Sequence, residues 1–530
     1  ASELIDTRNT KPPMLFWQAM VAGDWGAHWS RAALRSPSLA YLLLICAAIA
    51  WSLRAVSGRW REGLMAACVF LAFLSTFRYG RPYLTSAPET FWFSLPLFAL
   101  LWQRQRTPRQ GPGWGLHALF GLGLGLGLAY KSFALIAPAA AAWWLALLAS
   151  EAMLGWRALL RHSLRTALSA SLALGVFGLW FVLDPDPAAV WREFIVGENA
   201  AKFSDARGWW QEAFSLSGSS IWSQLLAYPV NAGLLFFAVL GLGIHGLRRL
   251  PALRDEWRQL PISSRVLLAW ALVWLLVFLF PSQRSARYVI PAMPAVAMLL
   301  VLHGRALSRA WFAPTLVLAL PVLLLLARIA WVGHDLRLSS ILDVGLVFVV
   351  AGLASLVVLA GLWRPGWTRG AAVLVCLLVY ATFNLAVAPM DRAVGRYPAG
   401  TADPIRHGRI AVPNGFNSQF ERFHFLLPGA GQFLPYETGA RALARRVPGS
   451  APATPAEELQ ELLESHDAVV WIQHGSTHTT PPCLPDCNIL GERWLLTSRH
   501  LPGEVRLDNL WYPQQWLFRR EWLLRRVAPH

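Results

Sequence analysis

The feature that most constrains this 530-residue sequence is a series of apolar stretches, each near the length that crosses a lipid bilayer. A helix needs about 20 largely apolar residues to traverse a hydrocarbon core about 30 Å thick. By that measure the chain predicts 12 helices, near 38–56, 63–78, 88–103, 114–130, 132–150, 166–184, 226–246, 265–281, 288–303, 311–332, 341–363 and 370–388. Only 15% of the residues are charged and 55% are hydrophobic, whereas a soluble domain carries about 25% charged residues. The expected fold class is therefore an α-helical polytopic membrane protein, followed by a soluble α/β domain where the composition turns polar near residue 390.

The net charge of +17 has two readings, nucleic acid or membrane topology. The basic residues fall in short clusters between apolar runs, the pattern that orients membrane helices. No long basic stripe interleaves with aromatics, so a nucleic-acid partner is not expected and membrane lipids are. The 28 tryptophans agree, because indole rings anchor helix ends at the headgroup level.

Arginine counts then set the sidedness. The clusters at Arg54, Arg59 and Arg61, at Arg104 to Arg109, at Arg157 to Arg165, at Arg248 to Arg258, at Arg305 and Arg309, and at Arg364 and Arg369 lie in alternate connectors. These are assigned to the cytoplasm. The other connectors face outward: residues 1–37, the segments around Arg81 and Lys131, 185–225, 282–287, and the tail. The expected organisation is an outer-face juxtamembrane segment (1–37), a transmembrane domain (38–390) and an outer α/β accessory domain (391–530). An even span number puts both termini outside, so one further span is expected upstream of Ala1, 12 plus one giving 13.

In the tail, strands are predicted at Arg409–Val412, at Ala468–Gln473 and around Trp494–Thr497, with a helix at Pro455–Ser465 capped by Thr454. Cys483 and Cys487 are expected to form a disulfide on an oxidising side; a zinc site there would need His474 and His478 as further ligands. The run GLGLGLG at Gly121–Gly127 suits close helix packing.

The outward connectors hold the residues able to do chemistry. Lys11 stands in NTKPPMLFW, where two prolines stop a helix and hold the cation at the membrane surface. The segment Arg78–Phe91 gathers Arg81, Tyr83, Ser86 and Glu89 beside a helix start. Glu89 is either a carboxylate facing a sugar hydroxyl or a favourable charge at a helix N-terminus. Lys131, at the tip of a tight hairpin between apolar helices, is costly unless it reaches water or an anion. In Phe194–Trp210, Glu198, Asn199 and Lys202 share helical spacing and Trp209–Trp210 follow, a sugar-binding composition or an interfacial tryptophan belt. Arg287 and Tyr288 stand where RSARYVIPAMP enters a helix.

Jointly these suit a lipid-linked phosphosugar. Lys11, Arg81, Lys131, Lys202, Arg287 and Tyr288 are candidates for the donor phosphate. Tyr83, Ser86, Asn199 and Trp209 are candidates for the sugar or acceptor, and Glu89 and Glu198 for catalytic carboxylates.

KPP before an aromatic helix, LTSAPETFWF, AYKSFALIAPA, GENAAKF and SARYVIPAMPA follow one another in an order that resembles the aminoarabinose transferase / protein O-mannosyltransferase superfamily, integral membrane glycosyltransferases of the GT-C fold. The resemblance implies an inverting transfer from a polyprenyl-phosphate sugar to a lipid (as in lipid A modification), glycan or protein acceptor. It places the reaction at the periplasmic face of a bacterial inner membrane. Lys11 matches the lysine of the family's KPP motif, Lys131 that of its hairpin loop, and Arg287–Tyr288 its basic-plus-tyrosine pair. Glu198–Asn199 stand where the family often carries Glu-His, and Lys202 where it carries Arg. The family's metal position falls on Asn199, a poor ligand, so no cofactor is expected with a divalent metal disfavoured. The family's catalytic aspartate would precede Ala1, Asp6 being too close to Lys11, and Ser86 replaces a usual Asp, with Glu89 three residues later. Two other classes compete: a secondary transporter, against which the spans nearly lack Asp, Glu and Lys, and a non-catalytic relative that acts as a binding or assembly protein.

Overall fold

The computed structural model describes residues 11–527 apart from 28–29, 108–110, 152–154, 201–208, 216–219, 250–256, 258, 282–283, 394–396, 399, 415–421, 438–453, 473–479, 498–499 and 501–502, and describes only the backbone at 26, 31, 197–200, 209, 212, 391–393 and 455. The chain forms two compact units, one of residues 7–320 with 356–378, the other of 1–6, 321–355 and 379–530.

Helices lie in every apolar stretch that the sequence marks. They are α1 (Met14–Ala22), α2 (Arg31–Ser57), α3 (Trp60–Ala72), α4 (Ser86–Arg106), α5 (Trp114–Leu128), α6 (Ile136–Ala149), α7 (Trp156–Leu183), α8 (Phe236–Arg248), α9 (Ile262–Val277), α10 (Met293–His303), α11 (Ala313–Asp335), α12 (Ile341–Trp363) and α13 (Thr368–Ala393). Among the described residues, 7 helical segments are long and apolar enough to cross a membrane. The protein is a multi-pass membrane protein. Its helices survive in hydrocarbon because each satisfies its own backbone groups. Several predicted spans are not regular α-helix throughout: 132–150 and 288–303 open on 3-10 segments (Phe133–Leu135 and Ala286–Ala292), and two others are broken. The stretch 63–78 breaks after Ala72, where Phe73 turns extended, and continues as a π-helical turn at Thr76–Gly80. The stretch 226–246 consists of a short helix (Ala227–Ala232), a 3-10 turn and α8.

In the larger unit the glycine run does what the sequence indicates. A Cβ on Gly125 would stand 2.9 Å from the Ala173 carbonyl oxygen of α7, and one on Gly127 would stand 2.2 Å from the Phe93 ring of α4. Helix α5 is thus pressed between α4 and α7 at a separation that larger residues forbid. This fixes the hairpin leading from α5 to α6, and with it Lys131 at the tip.

The smaller unit contains a five-stranded sheet in the order β2-β1-β3-β5-β4. Its strands are β1 (Arg409–Asn414), β2 (Gln432–Glu437), β3 (Ala468–Ile472), β4 (Cys487–Leu496) and β5 (Phe518–Arg526). Strand β1 pairs in parallel with β2 and β3, while β5 runs antiparallel to β3 and β4. The predicted helix Pro455–Ser465 (α14) is present. Thr454 accepts from the Glu457 amide and Glu457 accepts from that of Thr454, a reciprocal cap. Cys483 and Cys487 are joined in a disulfide, and His474 and His478 lie outside the described residues.

Strands β2 and β5 are absent from the sequence reading. Pro435 obscures β2, which sits at the sheet edge, where a missing amide is tolerated. Strand β5, FRREWLLRR, reads as charged surface yet lies inside the sheet. Its Glu521 is fully buried and bonded by Arg493 of β4, while Tyr397 donates to it at 2.8 Å and Arg422 lies at 3.7 Å. Burial and the adjoining carboxylate push the Tyr397 phenol up, so it remains a donor. For Arg493, burial lowers the basicity but the attraction of Glu521 outweighs it and raises the net value.

Replacing Glu521 with Ala leaves buried Arg493 without its counter-ion. The expected cost is about 3–5 kcal/mol of domain stability. Hydrogen exchange in β5 of the full chain measures it; protection equal to the parent's would show the network to be dispensable.

Candidate functional site at one end of the helical unit

The chain directions bring one set of predicted residues together. Helix α3 runs away from the arginine-rich connector at Arg59–Arg61, and the segment beyond it leads to Arg81, Tyr83 and the start of α4. The α5–α6 hairpin turns at the same end, and the Ala286–Ala292 3-10 segment begins α10 there.

Glu89 occupies the first turn of α4, where the exposed amides favour a carboxylate. It is buried, and its Oε1 accepts from Lys131 Nζ at 3.2 Å. Its Oε2 is buried with no hydrogen-bond partner among the described residues. Lys131 is about a quarter exposed, and its ammonium lies 5.6 Å from the centre of the Tyr288 ring. That ring stacks on Phe278, which stacks on Trp274, so the cation rests on the end of an aromatic column. Arg287, exposed, lies 4.6 Å over the ring of Tyr79 and adds an attractive field at Glu89.

The segment holding Arg287 and Tyr288 is pinned from two sides. Buried Asn231 donates to the Ala286 carbonyl at 2.6 Å, and Ser94 of α4 donates to that of Pro291 at 2.9 Å. Helix α1 is tied in as well: Met14 donates its amide to Ala129 at 3.3 Å, and Tyr83 donates to the Leu15 carbonyl at 3.0 Å. Burial pushes the Tyr83 phenol up, which keeps it protonated for that bond. Pro12–Pro13 therefore place Lys11, exposed, at the start of a helix docked beside the hairpin.

The structure separates the predicted residues into three sets. Glu89, Lys131, Arg287 and Tyr288 converge. Arg81 stands nearby but covers Phe77 at 4.2 Å, with burial and then the charge of Arg35 lowering its pKa. Ser86 is buried at the helix start, one turn before Glu89. Lys202 and the side chains of Glu198, Asn199 and Trp209 lie outside the described residues. The metal position implied at Asn199 shares that fate, and among the described residues no three His, Cys, Asp or Glu stand together as a metal site would need.

Sequence reasoning overlooked a relay beside Lys131. Trp92 Nε1 donates to the Tyr41 hydroxyl at 3.2 Å, the hydroxyls of Tyr41 and Tyr130 lie 3.1 Å apart, and Tyr130 donates to Gln18 Oε1 at 3.0 Å. The chain joins α4, α2, the hairpin and α1, and holds the residue adjacent to Lys131. Its one sequence signal is that polar tips on otherwise apolar helices need partners.

No known family model matches the chain. A curated relative, the undecaprenyl phosphate-alpha-4-amino-4-deoxy-L-arabinose arabinosyl transferase of Erwinia tasmaniensis, is 25% identical over 451 residues, 77% of this chain and 73% of that protein. The crystal structure of ArnT from Cupriavidus metallidurans bound to undecaprenyl phosphate aligns over 97% of this chain and 88% of its own, with a TM-score of 0.54 and 14% identity. Its apo state aligns with a TM-score of 0.52 and 15% identity, over 97% of this chain and 87% of that one. The chain has the ArnT fold and resembles the aminoarabinose transferases, integral membrane glycosyltransferases of the GT-C type.

Replacing Lys131 with Met strands the buried Glu89 carboxylate and is expected to cost about 3–5 kcal/mol. The double change Glu89→Gln/Lys131→Met recovers most of that loss. Thermal unfolding of the detergent-solubilised protein reads both; additive losses in the double variant would mean the pair is not coupled.

Proposed function

We propose that this protein transfers a sugar from a polyprenyl-phosphate donor to a lipid, glycan or protein acceptor at the periplasmic face of a bacterial inner membrane. The observation that carries the reading is the Lys131 ammonium. It is held between the buried Glu89 and the Tyr288 face, with Arg287 next in the chain, at one end of a bundle whose interior is apolar. A lipid donor can enter such a bundle only with its isoprenoid in hydrocarbon and its phosphate at the rim. The cations wait at that rim.

The proposed reaction is an inverting displacement. An acceptor oxygen attacks the anomeric carbon from the face opposite the phosphate as the carbon–oxygen bond to the phosphate breaks. That electron pair passes to the phosphate oxygen, and the acceptor's proton goes to a carboxylate. Polyprenyl phosphate leaves, its growing charge stabilised by Lys131 and Arg287, with Lys11, Arg81 and Lys202 completing the expected cation set. Glu89, expected from sequence as a catalytic carboxylate, is buried and committed to Lys131, so its role here is to position that lysine. The proton-accepting role falls to Glu198, and Tyr83, Ser86, Asn199 and Trp209 are the sugar-side and acceptor-side contacts of this reading. Asn199 offers an amide where a metal would want imidazole, so no step is routed through a metal ion.

With purified protein and an undecaprenyl-phosphate sugar donor, Lys131→Ala and Arg287→Ala are each expected to lower kcat/KM by about 10²–10³. Arg157→Ala, in the first turn of α7 at the other end of the helices, leaves transfer unchanged. Transfer unaffected by both active-face substitutions would sink the phosphate roles. Glu198→Gln is expected to lower kcat by about 10²-fold or more while donor binding, measured by calorimetry, stays at the parental value; a parallel loss of binding would remove Glu198 from the proton transfer.

A further inference from the structure

At the end of the larger unit opposite to Lys131, a cavity of about 520 Å³ opens between α3, α10 and the α12–α13 connection. Its rim is basic. Arg61 at the start of α3, Arg305 after α10 and Arg369 in the first turn of α13 all line it. The single carboxylate there, Glu62, is shared, 3.5 Å from Arg305 and 3.8 Å from Arg59. The three lining guanidinium groups thus outnumber the one acid, which is further shared with Arg59 outside the cavity, leaving excess positive charge at the mouth. Arg369 is set in place by donating to the Arg305 and Leu307 carbonyls, at 3.4 and 2.6 Å, while its Nε is buried with no hydrogen-bond partner among the described residues. The remaining walls are largely apolar: Met65, Leu300, Val301, Val357 and Leu374. Trp367 stands at the mouth, exposed, with Arg364 over its ring at 5.0 Å.

We propose that this cavity binds an anionic phospholipid of the arginine-rich leaflet, with its phosphate on Arg61, Arg305 and Arg369 and an acyl chain along the apolar wall. Two features favour a lipid over a small soluble anion. The apolar wall has no use for a free phosphate, and the site opens where headgroups lie, as the exposed indole of Trp367 indicates. Basic pockets between membrane helices on the cytoplasmic side recognise anionic headgroups through excess charge. The site shares no residue with the Lys131 end and is independent of the proposed transfer reaction.

The test is native mass spectrometry of the full chain in detergent, titrated with phosphatidylglycerol or phosphatidylcholine. The parent is expected to retain phosphatidylglycerol in preference to phosphatidylcholine. Arg61→Gln/Arg305→Gln weakens that binding by about thirty-fold, the combined surface attraction of two basic side chains. Arg157→Gln, an arginine at the same end outside the cavity, keeps the parental affinity. Both substituted arginines are exposed, and an unchanged unfolding transition confirms the fold of the double variant. Three results would each overturn the proposal: equal retention of the two lipids, parental affinity in the double variant, or displacement of phosphatidylglycerol by inorganic phosphate at comparable concentration.

Discussion

The ion pair between Glu89 and Lys131 is the interaction on which this end of the helical unit depends. A carboxylate removed from water is tolerable only if a cation answers it, and here that cation is delivered by a different helical hairpin. To bring it there, α5 must lie against both α4 and α7, and the absence of side chains at Gly127 (toward Phe93 of α4) and Gly125 (toward Ala173 of α7) is what lets the helices approach. Glycine run, hairpin and ion pair are thus one arrangement seen at three levels. A larger residue at Gly127 would meet Phe93 and displace the hairpin before any charge was altered.

The two ends of the helical unit use basic residues differently. At the Lys131 end the cations are few and supported by aromatic rings, Tyr288 beneath Lys131 and Tyr79 beneath Arg287. At the other end arginines are numerous and many are structural. Glu151 there accepts from His162 at 2.7 Å and from Arg161 at 3.2 Å, and Arg104 bonds Ser150 at 2.8 Å. Such arginines fix helix ends and bias orientation. Rings back some of these arginines too, as at Arg54 over Trp60 and Arg364 over Trp367; what marks the Lys131 end is a partly exposed ammonium paired with a buried carboxylate.

Sequence made the helices legible because hydrocarbon leaves so few alternatives: length and hydropathy suffice where no other backbone conformation is stable. It also marked Lys131, since a lysine between glycine- and alanine-rich helices demands a reason. What it left open was which group answers that lysine; the reading split Glu89 and Lys131 between base and phosphate ligand, where the structure pairs them. The Tyr41–Tyr130–Gln18 relay escaped notice because its members are 89 and 112 residues apart and each is ordinary in its own segment. Strand β5 escaped for the opposite reason. Its local pattern speaks for the surface, and only the partners of Glu521 on β4 and before β1 make burial possible.

The two buried carboxylates, Glu89 and Glu521, show why one suits a reaction and the other a scaffold. Glu521 is held by two buried groups, Arg493 and Tyr397, with the more exposed Arg422 farther off at 3.7 Å, and neither close partner faces solvent enough to be exchanged for a ligand without disrupting the sheet. The cation that answers Glu89 is partly exposed on an aromatic face. In the proposed transfer, an arriving donor phosphate can therefore share Lys131 with Glu89 without dismantling the fold. The carboxylate holds the ammonium in place beforehand, so little ordering cost falls on donor binding. As charge grows on the departing phosphate, the ammonium's stronger bond shifts from Glu89 toward it, and the stabilisation is then larger in the transition state than in the ground state, which is what accelerates a reaction.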